Sequence, residues 1–201
     1  MTDALFLTMS IAQTVRLYLR NKPYILEGLE QDIVNLSALS RKITKDLKMD
    51  RLRATKAAVI RFSKEYQKQT REMEMKVLKV LKGSRITLED GMNVLVSEKP
   101  LPVEPKFFVG LEDSNVYIVD KLSDRVSESD LICKHENCGV FIIRSPSEIE
   151  QAPGVVAYLT SVLAEQNINV IEFTSCYTCT MLAIEKKDVA RTYETLKPLV
   201  E

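Results

Sequence analysis

The residues with chemical reach fall into three groups. The first surrounds Pro153-Gly154. A glycine there lets a backbone approach closely, and a helix starting at Val155 would present free N–H groups to a carboxylate. Asn167 and Asn169 flank Ile168 at the head of the following strand, and the pattern puts them at the same end of the sheet. Turn chemistry accounts for these residues without any ligand: a strand-to-helix turn, a helix cap and a strand-edge position.

The second group is sulfur. Cys133-x-His135-x-x-Cys138 and Cys176-x-x-Cys179 offer five soft ligands, of which zinc commonly takes four. Nothing in the spacing brings the two cysteine pairs together, and the second pair fits a hairpin end equally well. One His in the whole chain leaves little room for His-based metal or triad chemistry. The expectation is therefore no metal and no cofactor. No thioredoxin-like context surrounds the CxxC, so no redox role is expected either.

The third group is basic. Between Arg41 and Arg71 eleven lysines and arginines face only Asp46, Asp50 and Glu65. The whole chain has 28 basic and 28 acidic side chains, so the remainder is acidic by the same excess. Such a contrast is a domain-level signal. Overall neutrality excludes a polyanion binder that works through its entire surface. The segment Asn35 to Ile43 resembles the first helix of a helix-turn-helix. Arg51 to Lys68 would then be the recognition helix, with Arg53, Lys56, Arg61 and Lys64 on phosphates or bases. An ordinary solvated helix face explains the same residues. Walker A, a paired-glycine dinucleotide loop, Gly-x-Ser-x-Gly and HExxH are all missing, and no catalytic residue is assigned.

Composition bounds these readings. A length of 201 residues suits one large domain or two small ones, and 45% hydrophobic with 28% charged residues belongs to folded chains. No uncharged apolar run reaches the roughly 20 residues of a membrane span. The start Met1-Thr2-Asp3 has no basic region ahead of an apolar stretch, so no signal peptide is expected. Four cysteines without an export signal predict a reducing, cytoplasmic location.

The elements that must position these residues change character along the chain. Ser10 caps a helix carrying Ile11, Val15, Leu17, Tyr18 and Leu19, and Pro23 opens a second with Tyr24, Ile25, Gly28 and Leu29. Asn35 caps a third with Leu36, Leu39, Ile43 and Leu47. A fourth helix is predicted from about Leu52 to Glu74, with Ala54, Ala57, Ala58, Val59, Phe62 and Tyr66 inward. After Met75 the pattern reads as extended, with strands at Arg85–Leu88 and Met92–Val96 around a turn at Glu89-Asp90-Gly91. Three prolines between Glu98 and Pro105 mark a loop. A second hairpin joins Phe107–Val109 to Val116–Val119, and a short helix is predicted within 122–131. From Gly139 the order is a strand, a helix after Gly154, strands at Ile168–Phe173 and Cys179–Ile184, and a closing helix ended by Pro198. That β-α-β-β-α order is one strand short of a ferredoxin-like unit.

The stretch Ser145-Pro146-Ser147-Glu148-Ile149-Glu150-Gln151-Ala152-Pro153-Gly154-Val155-Val156-Ala157-Tyr158-Leu159, followed by Leu163-Ala164-Glu165-Gln166-Asn167-Ile168-Asn169-Val170, resembles an ACT domain, nearest in character to the regulatory ACT repeats of aspartokinase. The resemblance spans about Cys138 to Glu201. The chain is also similar to archaeal proteins that join a helical region to a C-terminal ACT domain. The resemblance implies binding of an amino acid or similar small effector, usually between two ACT units, and hence a homodimer. On this sequence it implies a ligand site at Gln151, Ala152, Pro153, Gly154, Val155, Val156, Asn167, Ile168 and Asn169. A complete unit needs a fourth strand, for which the strands between Val77 and Val119 are the candidates. The expected fold is α+β: a helical, winged-helix-like domain at 1–74, a degenerate ACT-like half with hairpins at 75–137, and an ACT domain at 138–201, tandem or intertwined. The expected role is regulatory, with the helical part as output and DNA as its partner. The competing reading is a scaffold or interaction protein with no ligand.

Overall fold

The computed structural model describes residues 9–201, so the Met1-Thr2-Asp3 start lies outside the described residues. The chain divides into two units at the Glu74/Met75 boundary.

The first unit is built from capped helices. In α1 (Ile11–Arg20) the Ser10 hydroxyl accepts the Gln13 N–H, and the Gln13 side chain accepts the Ser10 N–H at 2.9 Å, a complete capping box. Pro23 stands in the first turn of α2 (Pro23–Glu30), where its missing N–H costs nothing. The Asn35 side chain accepts the N–H groups of Ser37 and Ala38, both at 3.0 Å, to start α3 (Leu36–Asp46). These helices and α4 (Leu52–Lys82) share a core of Val15, Leu19, Leu29, Leu39, Ile43, Ala58, Val59 and Phe62. The Tyr18 hydroxyl donates to Asp46, and burial together with that carboxylate pushes its pKa up to about 12. No strand among residues 9–74 stands as a wing. Ala54 and Ala57 are exposed, not inward; the buried stripe of α4 runs through Thr55, Ala58, Val59, Phe62 and Ser63.

The predicted end of the fourth helix at Glu74 is wrong. Helix α4 continues to Lys82, because Val77, Val80 and Leu81 recur at helical spacing and form a buried stripe. The two β-branched valines suggested extension, and burial overrode that preference.

The second unit is one antiparallel sheet of six strands in the order β2-β3-β1-β4-β6-β5. The strands are β1 (Arg85–Ser97), β2 (Phe107–Gly110), β3 (Asn115–Val119), β4 (Cys133–Arg144), β5 (Val170–Cys176) and β6 (Cys179–Ile184). Helix α5 (Val155–Glu165) joins β4 to β5, and α6 (Val189–Val200) follows β6. The predicted second hairpin is β2–β3. The predicted first hairpin does not exist. Glu89-Asp90-Gly91 forms a bulge within a single β1, both halves of which pair with β4. A compensating bulge on β4 restores the register, and Gly91 and Asn137 take positive φ there. The segment 122–131 holds only a single turn at Glu128–Asp130, and Pro198 sits within the last turn of α6 instead of ending it.

Strand β1 supplies the missing fourth position. Arg85–Glu89 pairs antiparallel with Val140–Arg144, so β1-β4-β6-β5 has the neighbour order of a ferredoxin-like sheet. One face packs on α5, α6 and the last turns of α4 through Phe141, Ile143, Leu182, Ile184, Leu159 and Leu163. Gly139 lets α6 approach: a Cβ there would lie 2.5 Å from a Val189 methyl. The other face has a core made of strand residues alone, including Val94, Ile118, Val140, Ile142, Met181 and Ala183, with Phe107 and Ile171 from the two edge strands.

Candidate functional site

The loop from β4 to α5 is fixed before it reaches Gly154. The Ser145 N–H donates to the Thr178 carbonyl at 2.8 Å, and the hydroxyls of Ser84 and Ser145 are 2.8 Å apart. A short 3-10 turn, Ser147–Gln151, then leads through buried Ala152 to Pro153. Gly154 takes φ +101°, a conformation costly for any L side chain, and this sharp reversal starts α5.

Helix α5 has no side-chain cap. Its first intrahelical donor is the Tyr158 N–H, bonded to the Gly154 carbonyl at 2.8 Å. The N–H groups of Val155, Val156 and Ala157 therefore end the helix as open donors with the positive end of its dipole. They open onto a cleft of about 820 Å³. Its walls are 149–157 on one side and Ser175 and Tyr177 on the other. Ser175 shares a 3.3 Å hydroxyl contact with Thr180, and Tyr177 is 68% exposed at the hairpin turn. Glu150 contributes a carboxylate to the same cleft.

Of the predicted ligand residues, Gln151, Ala152, Pro153, Gly154, Val155 and Val156 all line this cleft, while Asn167, Ile168 and Asn169 do not. Asn167 takes φ +54° just after α5. Its N–H donates to the Ala164 carbonyl at 2.8 Å and the Ile168 N–H to the Leu163 carbonyl at 3.0 Å. That is a Schellman cap, with Ile168 buried against the helix it closes. Eleven residues at about 1.5 Å each put it roughly 16 Å from Gly154, at the opposite end of α5. The expectation that the asparagines share an end with Gly154 is corrected accordingly. Ser175 and Tyr177 were missed because the stretch around Cys176-x-x-Cys179 was read only as a hairpin end. The signal was there: a strand returning antiparallel from α5 must turn at the end where α5 began.

The cysteine pairs stay apart. Cys133 opens β4, whereas Cys179 is the register partner of Arg144 at its other end. Cys133 Sγ lies 3.3 Å from His135 Nε2, and burial pushes the thiol pKa of Cys138 up. Burial likewise raises the pKa of Glu172, with the His135 charge opposing the shift. Among the described residues no group of three or more His, Cys, Asp or Glu side chains is placed to hold a metal ion.

The basic residues share one face of α4. At about 100° per residue, Arg53, Lys56, Arg61, Lys64, Lys68 and Arg71 fall in an arc of roughly 140° opposite the buried stripe. Arg53, Lys56, Arg61 and Lys64 are exposed and form no ion pair among the described residues.

Residues 134–198 match the family model of the ACT domain. This part of the chain is an ACT domain. Among solved structures, the chain is similar to the aspartate kinase of Clostridium acetobutylicum, with 11% identity and a TM-score of 0.48 over 58% of this chain and 34% of that one. It thus spans about a third of that enzyme's length. It is also similar to the regulatory subunit of aspartate kinase from Thermus flavus, with 11% identity and a TM-score of 0.45 over 61% of this chain and 99% of that one. A third is a Vibrio cholerae protein of unknown function described as a possible transport protein, with 13% identity and a TM-score of 0.49 over 63% and 98%. No curated protein matches the sequence. No helix among the described residues is long and apolar enough to cross a membrane.

Proposed function

We propose that the chain is a non-catalytic, cytoplasmic regulator whose ACT domain binds a free amino acid or a related small carboxylate, with the helical unit as output. One observation carries this reading: the uncapped N-terminus of α5, opened by Gly154, faces a cleft lined by a carboxylate and two hydroxyl side chains. The effector carboxylate takes the N–H groups of Val155, Val156 and Ala157. Glu150 answers the ammonium group, and Ser175 and Tyr177 close over the remainder. The cleft is open, so a second copy of the chain completes it in a homodimer.

A thermal-shift screen of the full chain against the twenty amino acids tests the reading. An effector at 100 times its Kd adds about 2.7 kcal/mol of apparent stability. A flat response to all twenty would sink it.

The basic face of α4 favours a second element of the proposal, in which duplex DNA is the output partner of the helical unit. Phosphate contacts release counterions, so binding must weaken steeply with salt. If the full chain binds no duplex even at about 50 mM salt, the helical unit is a docking element for another protein.

A further inference from the structure

The Cys176-x-x-Cys179 motif plays no part in the effector cleft, and its register gives it chemistry of its own. The two residues are direct partners where the β5–β6 hairpin closes, with Tyr177 and Thr178 between them. Directly opposed residues on antiparallel strands point to one face and have Cα atoms about 4.5–5.5 Å apart. A disulfide requires about 4.4–6.8 Å. Both thiols are free, Cys176 exposed and Cys179 half-buried.

The register continues the row across the sheet. Cys179 is opposite Arg144, and Arg144 is opposite Arg85. Arg85, Arg144, Cys179 and Cys176 therefore lie side by side on four adjacent strands, on the helix-free face that Cys179 shares with Ile142 and Met181. Both arginines are exposed. Neither forms an ion pair among the described residues. The other two cysteines lack this setting: Cys133 faces Val96, and Cys138 is buried opposite Met92.

The geometry points to this row as a thiol–disulfide exchange site for an anionic low-molecular-weight disulfide. Arg85 and Arg144 hold the carboxylates of the incoming disulfide. One cysteine thiolate attacks a sulfur of that disulfide; its S–S bond breaks, one small thiolate leaves, and a mixed disulfide remains on the protein. The second cysteine thiolate attacks the protein sulfur of the mixed disulfide and expels the other small thiolate. The protein dithiol loses two electrons and becomes the Cys176–Cys179 disulfide, the small disulfide is reduced to two thiols, and the two protein protons end on them or in solvent. A labile disulfide of this kind is the form in which reducing compartments use the bond.

The test exposes the reduced full chain to oxidised glutathione, which is anionic, or to cystamine, which is cationic, and maps the thiols by alkylation and mass spectrometry. The expected product is a linked Cys176–Cys179 peptide, with Cys133 and Cys138 still alkylatable, and a trapped glutathione adduct in Cys176→Ser or Cys179→Ser. Arg85→Glu with Arg144→Glu should slow the reaction with oxidised glutathione at least about tenfold at low salt and leave cystamine as fast or faster. Arg85→Gln with Arg144→Gln gives the same ordering should the charge reversal impair folding. Failure to form the linked peptide, faster modification of Cys133, or arginine variants that slow both reagents alike would overturn the assignment.

Discussion

Replacing Gly154 by alanine isolates the turn that creates the cleft. An added Cβ would meet nothing closer than a Val77 methyl at 3.7 Å, an ordinary contact, so the perturbation is conformational and not steric. A non-glycine residue held at φ +101° costs about 1–3 kcal/mol, offset by about 0.4–1 kcal/mol from a stiffer unfolded chain. Taking the middle of each range, the net loss is roughly 1–2 kcal/mol. For a chain of this size each kcal/mol lowers the melting temperature by about 2–4 °C, which gives a fall of roughly 2–8 °C by calorimetry. Relief of the strain would swing the backbone away from its present path and turn the first N–H groups of α5 out of the cleft. Gly154→Ala should therefore lose both stability and effector response, and Gly154→Val more of each. Gly154→Asn should recover part, because asparagine tolerates positive φ. An alanine variant as stable and as responsive as the parent would refute the reasoning, since the turn would then not depend on a glycine conformation.

Substitutions at Asn167, at Glu172 and on the basic face of α4 separate the remaining claims. Asn167→Val should cost about 1–2 kcal/mol in chemical denaturation, because a β-branched residue must enter the left-handed region, whereas Asn167→Gly should be near neutral. Neither should change effector response, as both act at the far end of α5. Glu172→Gln should raise the melting temperature at neutral pH. Burial raises the folded-state pKa of Glu172 above its unfolded value, so the stability tied to its protonated form is present at low pH and lost as pH rises through the folded pKa. The advantage of Gln must therefore shrink on acidification, and an advantage independent of pH would contradict the burial argument. Exchanging Arg53, Lys56 and Arg61 for glutamate should abolish DNA binding by the full chain at low salt, as measured by fluorescence anisotropy; exchanging Arg53 alone should weaken it and lower the salt slope by about 0.9 for a phosphate contact removed.

The caps were legible because they are local chemistry: Ser10 and Asn35 mark helix starts by bonds reaching no further than three residues, and Pro23 by its fixed φ and missing N–H. The closing β-α-β-β-α order was legible for the same reason, through the alternation and helical spacing of Val140–Ile143, Leu159, Leu163 and Met181–Ile184. The failures lie where distant residues decide. Val77, Val80 and Leu81 are helical because a sheet face needs them, whereas the two valines taken alone pointed elsewhere. Glu89-Asp90-Gly91 has turn composition, yet it becomes a bulge because β4 is long enough to pair on both sides of it. Half the candidate site, Gln151 to Val156, followed from a Pro-Gly turn and a helix start. Ser175 and Tyr177 reach it only through strand direction, and Asn167 was misplaced because a helix cap and a binding residue can have the same composition.

The central claim is that the open N-terminus of α5 receives an amino acid carboxylate. Amide chemical shifts of the isotopically labelled full chain, followed while each amino acid is titrated, test it at the atoms concerned. One or a few amino acids should move the signals of Val155, Val156 and Ala157 most, with Ser175 and Tyr177 following and Asn167 to Asn169 unmoved. Saturable shifts centred anywhere else, or no shift at those three amides with any amino acid, would contradict it.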